Sequence, residues 1–452
     1  MNYKNINVLI IGMAKSGQSA MEFLQKHKAN VFIFDSNIDT LSQLKSSIKN
    51  VTILTKIDEQ SLQNIDLIVL SPAVSIFCEE VKLAQLFGIK IISELQLGLD
   101  NAKGDKILLT GTNGKTTTVN LIEQAFNYAK RKNLLVGNVG NPITKYVSKY
   151  RTNYIVEVSS FQLESSFVKP HIACILNITQ NHLNRHFSYA NYIQTKYKIF
   201  CNQTKRDFLV LNYDDELLRK LQTKQTEVFG ELVDIRSKIF WFSTKTDVLG
   251  SYLKDGKIYF NNGKKTTFIE YEKNIKLLGK HNAYNVLAMV TICMLKHLPL
   301  KAIRLAIKNF AGVEHRLQLV ASKNGVDYIN DSKSTTPFST ITALNAIKKP
   351  VVLILGGSDK GLDYDDFVSQ ISCKIKYAVL TGEIAEKLEK IFQKNNVKNY
   401  CVVKQFDRAV QKAKSLSSNG DCVLLSPATA SFDCFKNFEH RGEVYIDLVK
   451  KL

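Results

Sequence analysis

The run Thr110-Gly111-Thr112-Asn113-Gly114-Lys115-Thr116-Thr117 follows a strand-like apolar segment, Ile107-Leu108-Leu109, and opens onto a helical pattern from Thr118 to Ala129. A strand that feeds a glycine turn at a helix N-terminus aims backbone N–H groups and the positive end of the helix dipole at one point. The small residues let the backbone close around a triphosphate. Lys115 offers a point charge to the β- and γ-phosphates, and the Thr116 hydroxyl suits Mg²⁺. The usual phosphate-loop spacing has a glycine where Leu109 stands, so this is a variant of the loop. The alternative, a polar helix cap that happens to contain Gly-Lys-Thr, is the weaker reading in this context. The run predicts an α/β arrangement that binds a nucleoside triphosphate.

Around this run, a length of 452 residues leaves room for two or three domains, and 45% apolar with 23% charged residues is ordinary for a soluble globular protein. The apolar Val8-Leu9-Ile10-Ile11 is too short and wrongly flanked for a signal peptide, and nothing later approaches the length of a membrane span. The eight cysteines are scattered without a Cys-x-x-Cys pair, which suggests reduced thiols in a cytoplasm and no zinc site. The net charge of +20 raises nucleic-acid binding as a possibility. The basic residues are spread along the chain without aromatic interleaving, however, and read as a lysine-rich surface.

Three blocks are expected. Residues 1–93 alternate β-branched strands with helical stretches, the pattern of a helix-covered parallel sheet. Strand Val8–Ile11 runs into Gly12-Met13-Ala14-Lys15-Ser16-Gly17, strand Val31–Phe34 ends at Asp35, and strand Leu67–Leu70 ends at Ser71-Pro72. This resembles a dinucleotide-type turn with Ala14 at the middle glycine. It fits a nucleoside diphosphate at the turn with Asp35 on ribose or base, or equally any α/β domain with a tight first turn. Residues 94–311 hold the phosphate loop and then change character. From Ile239 to Ile269, short alternating runs broken by Asp255-Gly256 and Asn262-Gly263 read as hairpins in an antiparallel stretch. Residues 312–452 return to β–α alternation.

Polar constellations punctuate the strand ends: Glu157-Val158-Ser159-Ser160, Asn181-His182, Tyr192-x-x-x-Lys196, Gly279-Lys280-His281-Asn282 with Asn285, Glu314-His315-Arg316, Asn330-Asp331-Ser332-Lys333-Ser334-Thr335, Gly356-Gly357-Ser358-Asp359-Lys360 and Ser431-Phe432-Asp433 through Phe438. In this order they resemble the Mur ligase family of bacterial cell-wall enzymes over essentially the whole chain. The length, the first-domain turn with Asp35, and the ending Ser431–Gly442 resemble the branch that adds D-glutamate to UDP-N-acetylmuramoyl-L-alanine.

The resemblance implies an α/β protein of three domains: a Rossmann-like UDP-substrate domain, a central phosphate-loop ATPase domain with a small antiparallel portion, and a Rossmann-like amino-acid-binding domain. It implies an ATP-dependent amide ligase working through an acyl phosphate, as a cytoplasmic monomer with no nucleic-acid or membrane partner. Lys115, Glu157, His182 and Lys196 are its implied catalytic set. ATP falls to Gly111, Thr112, Asn113, Gly114, Lys115, Thr116 and Thr117, with Asn282, Asn285, Arg316 and Asp331. The UDP-substrate falls to Gly12, Ser16, Gly17, Asp35, Ser71, Pro72 and Asn138, and D-glutamate to Lys333, Thr335, Lys360, Ser431 and Phe438. Two Mg²⁺ ions are implied on Thr116, Glu157, His182 and Lys196, the last as a CO₂-derived carbamate that turns a cation into an oxygen ligand. Histidine is an unusual ligand for a hard cation, and read without the resemblance His182 is a polar strand-end residue.

Asn181 and Asn184 flank His182 where acidic residues are more usual in the family, Ala14 and Ala73 replace expected glycines, and Phe432 stands where leucine is common. An amide ligase for a different amino acid, including one of folylpolyglutamate type, would share the phosphate loop but not the first-domain turn and the Ser431–Gly442 ending. An NAD(P)-dependent oxidoreductase would leave the phosphate loop unexplained.

Overall fold

The computed structural model describes residues 2–37, 40–41, 50–275, 281–310, 312–359 and 361–452. The described residues up to 275 together with 281–310 form one compact unit, and those from 312 onward form another.

Continuous apolar strands build parallel sheets covered on both faces, because alternation is lost where neither face meets water. In the first unit, a five-stranded sheet orders Val51–Ile53, Asn30–Phe34, Asn7–Ile11, Leu67–Leu70 and Lys90–Ser93, all parallel. Strand order reverses between Asn7–Ile11 and Leu67–Leu70, which opens a crevice at their C-terminal ends. Two apolar clusters, one around Val8, Ile10 and Leu24 and one around Leu9, Ile68 and Val81, cover the sheet's two faces.

The nine-stranded sheet of the same unit places Lys106–Thr110 between Ile172–Ile175 and Asn153–Glu157. The helix Lys115–Tyr128 that follows the loop buries Val119, Leu121, Ile122 and Phe126, and packs against the helices His281–Leu295 and Leu300–Asn309. Gly250–Lys254, Lys257–Asn261 and Thr266–Tyr271 form the expected hairpins, turned at Asp255 (φ 50°) and Gly256 (φ 66°) and at Gly263 (φ 88°). Lys238–Ser243 departs from the antiparallel expectation. It pairs in parallel with both Phe208–Asn212 and Gly250–Lys254. Its run Ile239-Phe240-Trp241-Phe242 is covered on both faces, the signature of an interior parallel strand. A small hairpin, Gln225–Val228 with Glu231–Asp234, had no sequence signal strong enough to be expected.

The second unit carries a six-stranded sheet: Gln318–Lys323, Val326–Asn330, Cys422–Leu425, Val351–Gly356, Tyr377–Thr381 and Tyr400–Val402. The first strand is antiparallel and the rest are parallel.

A buried polar knot joins the first sheet's layer to the second. Ser93 caps the helix Glu94–Asn101, its hydroxyl accepting from Gln96 N at 2.9 Å, and Glu94 is enclosed in the first turn. Glu94 Oε1 accepts from Thr144 N at 2.8 Å and Thr144 Oγ1 at 2.7 Å, while Ser19 Oγ lies 2.7 Å from the same Thr144 hydroxyl. Burial outweighs these bonds and raises the Glu94 pKa above the ordinary carboxylate value. A carboxyl whose folded-state pKa is raised contributes its full stability below its unfolded pKa. That contribution erodes as pH climbs through the window up to the folded value. Glu94→Gln keeps the acceptor and removes the charge, so in thermal melts its melting temperature relative to wild type should climb as pH rises from the ordinary carboxylate range through neutrality. A difference that stays flat across that range would show that Glu94 does not bury a charge at neutral pH.

Candidate active site

The phosphate loop is shaped by its neighbours before any ligand arrives. Gly114 takes φ 83° at the start of the helix Lys115–Tyr128, and a Cβ there would lie 2.3 Å from Asn285 Oδ1. Asn285 also accepts from Thr118 Oγ1 at 3.2 Å and donates to Asn282 Oδ1 at 2.7 Å. Both asparagines are buried and brace the helix start from behind. On the other side, Thr112 N donates to Asn177 O at 2.9 Å and Asn113 N to Asn177 Oδ1 at 2.9 Å. Those two amides are spent on the scaffold, which leaves the amides of the helix's first turn to face an anion. Lys115 Nζ folds back onto the carbonyls of Gly111 and Thr112, both at 2.8 Å.

Lys196 reaches the same place from the helix Tyr189–Tyr197. Its Nζ donates to Gly111 O at 3.0 Å and Thr110 Oγ1 at 3.2 Å, and lies 4.8 Å from the centroid of the Tyr192 ring. The Tyr192 hydroxyl is 3.1 Å from Thr112 Oγ1, so the Tyr192-x-x-x-Lys196 spacing puts both side chains on the loop. Lys196 is 1% exposed. Burial first, and the charge of Lys115 second, hold its amine well below the ordinary lysine pKa.

Glu157 ends the neighbouring strand, in register with Leu109, and is 2% exposed. Its Oε1 accepts from Asn138 Nδ2 at 2.7 Å, while Oε2 is buried and, among the described residues, receives no hydrogen bond. A buried carboxylate oxygen without a donor is costly unless a cation completes it. His182 sits at φ 54° at the head of the short helix Leu183–His186, its backbone N donating to Asn181 Oδ1 at 2.9 Å and its ring 4.9 Å from that of Phe161. Burial, then Lys115, then Lys196 lower its pKa, which favours the neutral imidazole. Among the described residues, no cluster of three or more His, Cys, Asp or Glu side chains could hold a metal by itself. Any cation here needs the Thr116 hydroxyl, substrate oxygens or a modified lysine as well. The side chain of Asn184 lies outside those described.

At the crevice of the first sheet, Asp35 Oδ2 accepts from Met13 N at 2.6 Å and Oδ1 from Asn37 N at 2.9 Å, so the carboxylate organises the turn. Gly17 allows the helix to close on it, since a Cβ would lie 2.0 Å from Gly12 O. Ser71 N donates to Ile11 O at 3.0 Å. The fold therefore gathers Gly12, Ser16, Gly17, Asp35, Ser71 and Pro72 around one crevice mouth.

In the second unit, Asp331 is buried, accepting from Ser426 Oγ at 2.7 Å and Leu317 N at 3.1 Å. Its pKa is pushed up to about 6 by burial, against lowering by Ser334, Ser426, Leu317 N and the Arg316 charge. Lys333 Nζ lies 5.6 Å from the centroid of the Phe438 ring, and Ser431 is buried nearby in sequence, on the loop before that helix. Lys360 lies outside the described residues. Two residues carry more structure than the sequence reading assigned to them. Arg441, 1% exposed, donates to Ser332 Oγ at 3.0 Å, Ser332 O at 3.1 Å, Ala430 O at 2.9 Å and Thr429 O at 3.2 Å. Its signal was legible: it shares the apolar face of its helix with Tyr445 and Val449, at four-residue spacing. The other is Arg185, for which three-residue proximity to His182 was the only cue.

Comparison with known proteins covers the whole chain. Residues 6–93 match the model of the Mur ligase MurD-like N-terminal domain, residues 109–293 the Mur ligase middle domain, and residues 315–429 the Mur ligase glutamate ligase domain. The UDP-N-acetylmuramoylalanine--D-glutamate ligase of Caldanaerobacter subterraneus subsp. tengcongensis is 37% identical over 462 residues, with 100% of both chains covered. That of Clostridioides difficile is 36% identical over 462 residues, again with 100% of both covered. Among solved structures, the UDP-N-acetylmuramate-alanine ligase MurC of Thermotoga maritima superposes with a TM-score of 0.57 at 17% identity, covering 99% of this chain and 100% of its own. The MurF ligase of Thermotoga maritima in complex with ADP gives 0.56 at 14% identity, covering 99% and 96%. At such identities the structural likeness speaks to the fold, whereas the full-length relatives and the three matched domains speak to descent: the chain belongs to the Mur ligase family.

Proposed function

We propose that the chain joins D-glutamate to UDP-N-acetylmuramoyl-L-alanine at the expense of ATP, releasing ADP and phosphate, in the synthesis of peptidoglycan precursors. The observation that carries this reading is the convergence of Lys115, Lys196 and the open oxygen of Glu157 at the C-terminal ends of two adjacent strands. It is supported by full-length likeness to relatives named for that ligation. The boundaries 1–93, 94–311 and 312–452 are the working division into UDP-substrate, ATP and amino-acid domains. A monomer in the cytoplasm is the working state. Among the described residues, no helix is long and apolar enough to cross a membrane.

A carboxylate is a poor acyl donor, so the γ-phosphoryl group first moves to the lactoyl-alanine carboxylate. The amine of D-glutamate then attacks the acyl carbon, and phosphate leaves from the tetrahedral intermediate. Bringing a carboxylate against a triphosphate demands neutralisation and alignment. Lys115 supplies charge once it swings from the Gly111 and Thr112 carbonyls to the β- and γ-phosphates. Asn138 holds one oxygen of Glu157 and so aims the other. Mg²⁺, at Thr116 and at a second position on Glu157, His182 and a carbamate of Lys196, would neutralise the oxygens that the transfer brings together. The lowered basicity of Lys196 suits that carbamate. A neutral amine forms the N–C bond to CO₂ and loses a proton, which an ammonium cannot do. Asn282 and Asn285 are proposed for adenine, and Arg316 and Asp331 for phosphates and ribose. Lys333, Thr335, Lys360, Ser431 and Phe438 are proposed for the dicarboxylate of D-glutamate, which two cations and hydroxyl donors suit.

Purified protein with ATP, Mg²⁺ and UDP-N-acetylmuramoyl-L-alanine should release phosphate only when D-glutamate is added, and should form the dipeptide product. Phosphate release that is equal without an amino acid, or faster with a different one, sinks this reading in favour of an ATPase or another amide ligase. Lys196→Ala should lose most turnover, with short carboxylic acids restoring part of it by occupying the vacated space. A Lys196→Ala rate near wild type at saturating Mg²⁺ would remove the carbamate from the proposal.

A further inference from the structure

Arg185 links two sites that the chain keeps far apart in sequence. Its guanidinium forms a fork with Glu164, Nη2 to Oε2 at 2.7 Å and Nε to Oε2 and Oε1 at 3.1 and 3.2 Å. The pair is sequestered, with the arginine side chain 15% and the carboxylate 4% exposed. The remaining donors cross to the first domain, Nη1 to Ala73 O at 3.2 Å and Nη2 to Val74 O at 2.6 Å. Those carbonyls belong to the turn after Ser71-Pro72. Val74 packs so tightly on Gly12 that a Cβ on Gly12 would come within 2.7 Å of its side chain. On the other side the guanidinium carbon lies 4.9 Å from the Phe161 ring centroid, and His182 lies 4.9 Å from the same ring. Arg185 also sits in the four-residue helix Leu183–His186, which runs between two left-handed residues, His182 (φ 54°) and Phe187 (φ 63°). Such a segment holds its shape only when its surroundings determine it.

We infer that Arg185 is a positioning residue that keeps the uridine-diphosphate turn of the first domain in register with His182. Binding energy gained on the remote nucleotide is thereby delivered at the muramoyl carboxylate. The inference rests on the ligase reading above. A mere partner for Glu164 would not need the two carbonyl contacts. Lysine can neutralise Glu164 but has no planar fork to reach the carboxylate and both carbonyls together. Remote binding energy is used for orientation, and a misplacement of about 1 Å can cost about a hundred-fold in rate.

The test compares wild type with Arg185→Lys in the full-length protein, at saturating ATP and D-glutamate. The substrates are UDP-N-acetylmuramoyl-L-alanine and the same molecule without its UDP. Arg185→Met would strand a buried carboxylate and is avoided. The expected result is a loss in kcat/KM of roughly ten- to a hundred-fold on the UDP-bearing substrate, against less than about three-fold on the truncated one. Hydrogen exchange supplies an independent readout. Adding the UDP-bearing substrate should protect both residues 71–78 and 182–187 in wild type, and only 71–78 in Arg185→Lys. Equal losses on both substrates, no loss at all, or protection that still spreads to 182–187 in the variant would overturn the inference. Failure of wild type to ligate either substrate would instead refute the ligase reading, whatever Arg185 does.

Discussion

Two lysine side-chain nitrogens end on one carbonyl oxygen: Lys115 Nζ at 2.8 Å and Lys196 Nζ at 3.0 Å from Gly111 O. Burial first, and the nearby Lys115 charge second, hold the Lys196 amine well below the ordinary lysine pKa. The loop that holds them cannot relax away. Asn285 blocks it behind Gly114, and Asn177 binds its amides from the side. A site built in this way presents positive charge before any anion enters. That is the condition under which an incoming polyphosphate gains most from fixed charges.

The rest of the first unit makes the position of that loop meaningful. Polar contacts tie the crevice of the first sheet to the central sheet at two places, through Thr144 between Ser19 and Glu94, and through Arg185 between Glu164 and the carbonyls after Ser71. Buried polar networks of this kind are costly when half-made, so they specify one arrangement of the two sheets over its neighbours. Apolar packing alone would tolerate small slips between layers.

The second unit solves a similar problem with a single cation. Arg441 is enclosed among carbonyls and a hydroxyl, and burial lowers its pKa to about 10 against the raising effect of the Asp433 charge. Its donors knit the loop that carries Lys333 and Thr335 to the loop that carries Ser431. The hydroxyls and lysine proposed for D-glutamate thus project from loops that a rigid fork holds at fixed separation.

Much of this molecule was legible in its residues. The strand–glycine–helix run, the unbroken apolar strands and the Asp255-Gly256 and Asn262-Gly263 turns each encode local geometry, and local geometry is what periodicity and backbone preference report. The family resemblance, carried by ordered motifs, added the candidate catalytic set. What only the tertiary structure decided is how those groups are solvated and what holds them. Lys196 looks like any helix lysine until Tyr192, Thr110 and Gly111 enclose it. Asn285, Asp331, Arg185 and Arg441 spend their polar groups on partners tens to more than a hundred residues away in the chain. Desolvation and long-range hydrogen bonding depend on which segments the fold brings together, and no short window of sequence contains both partners of such a long-range bond.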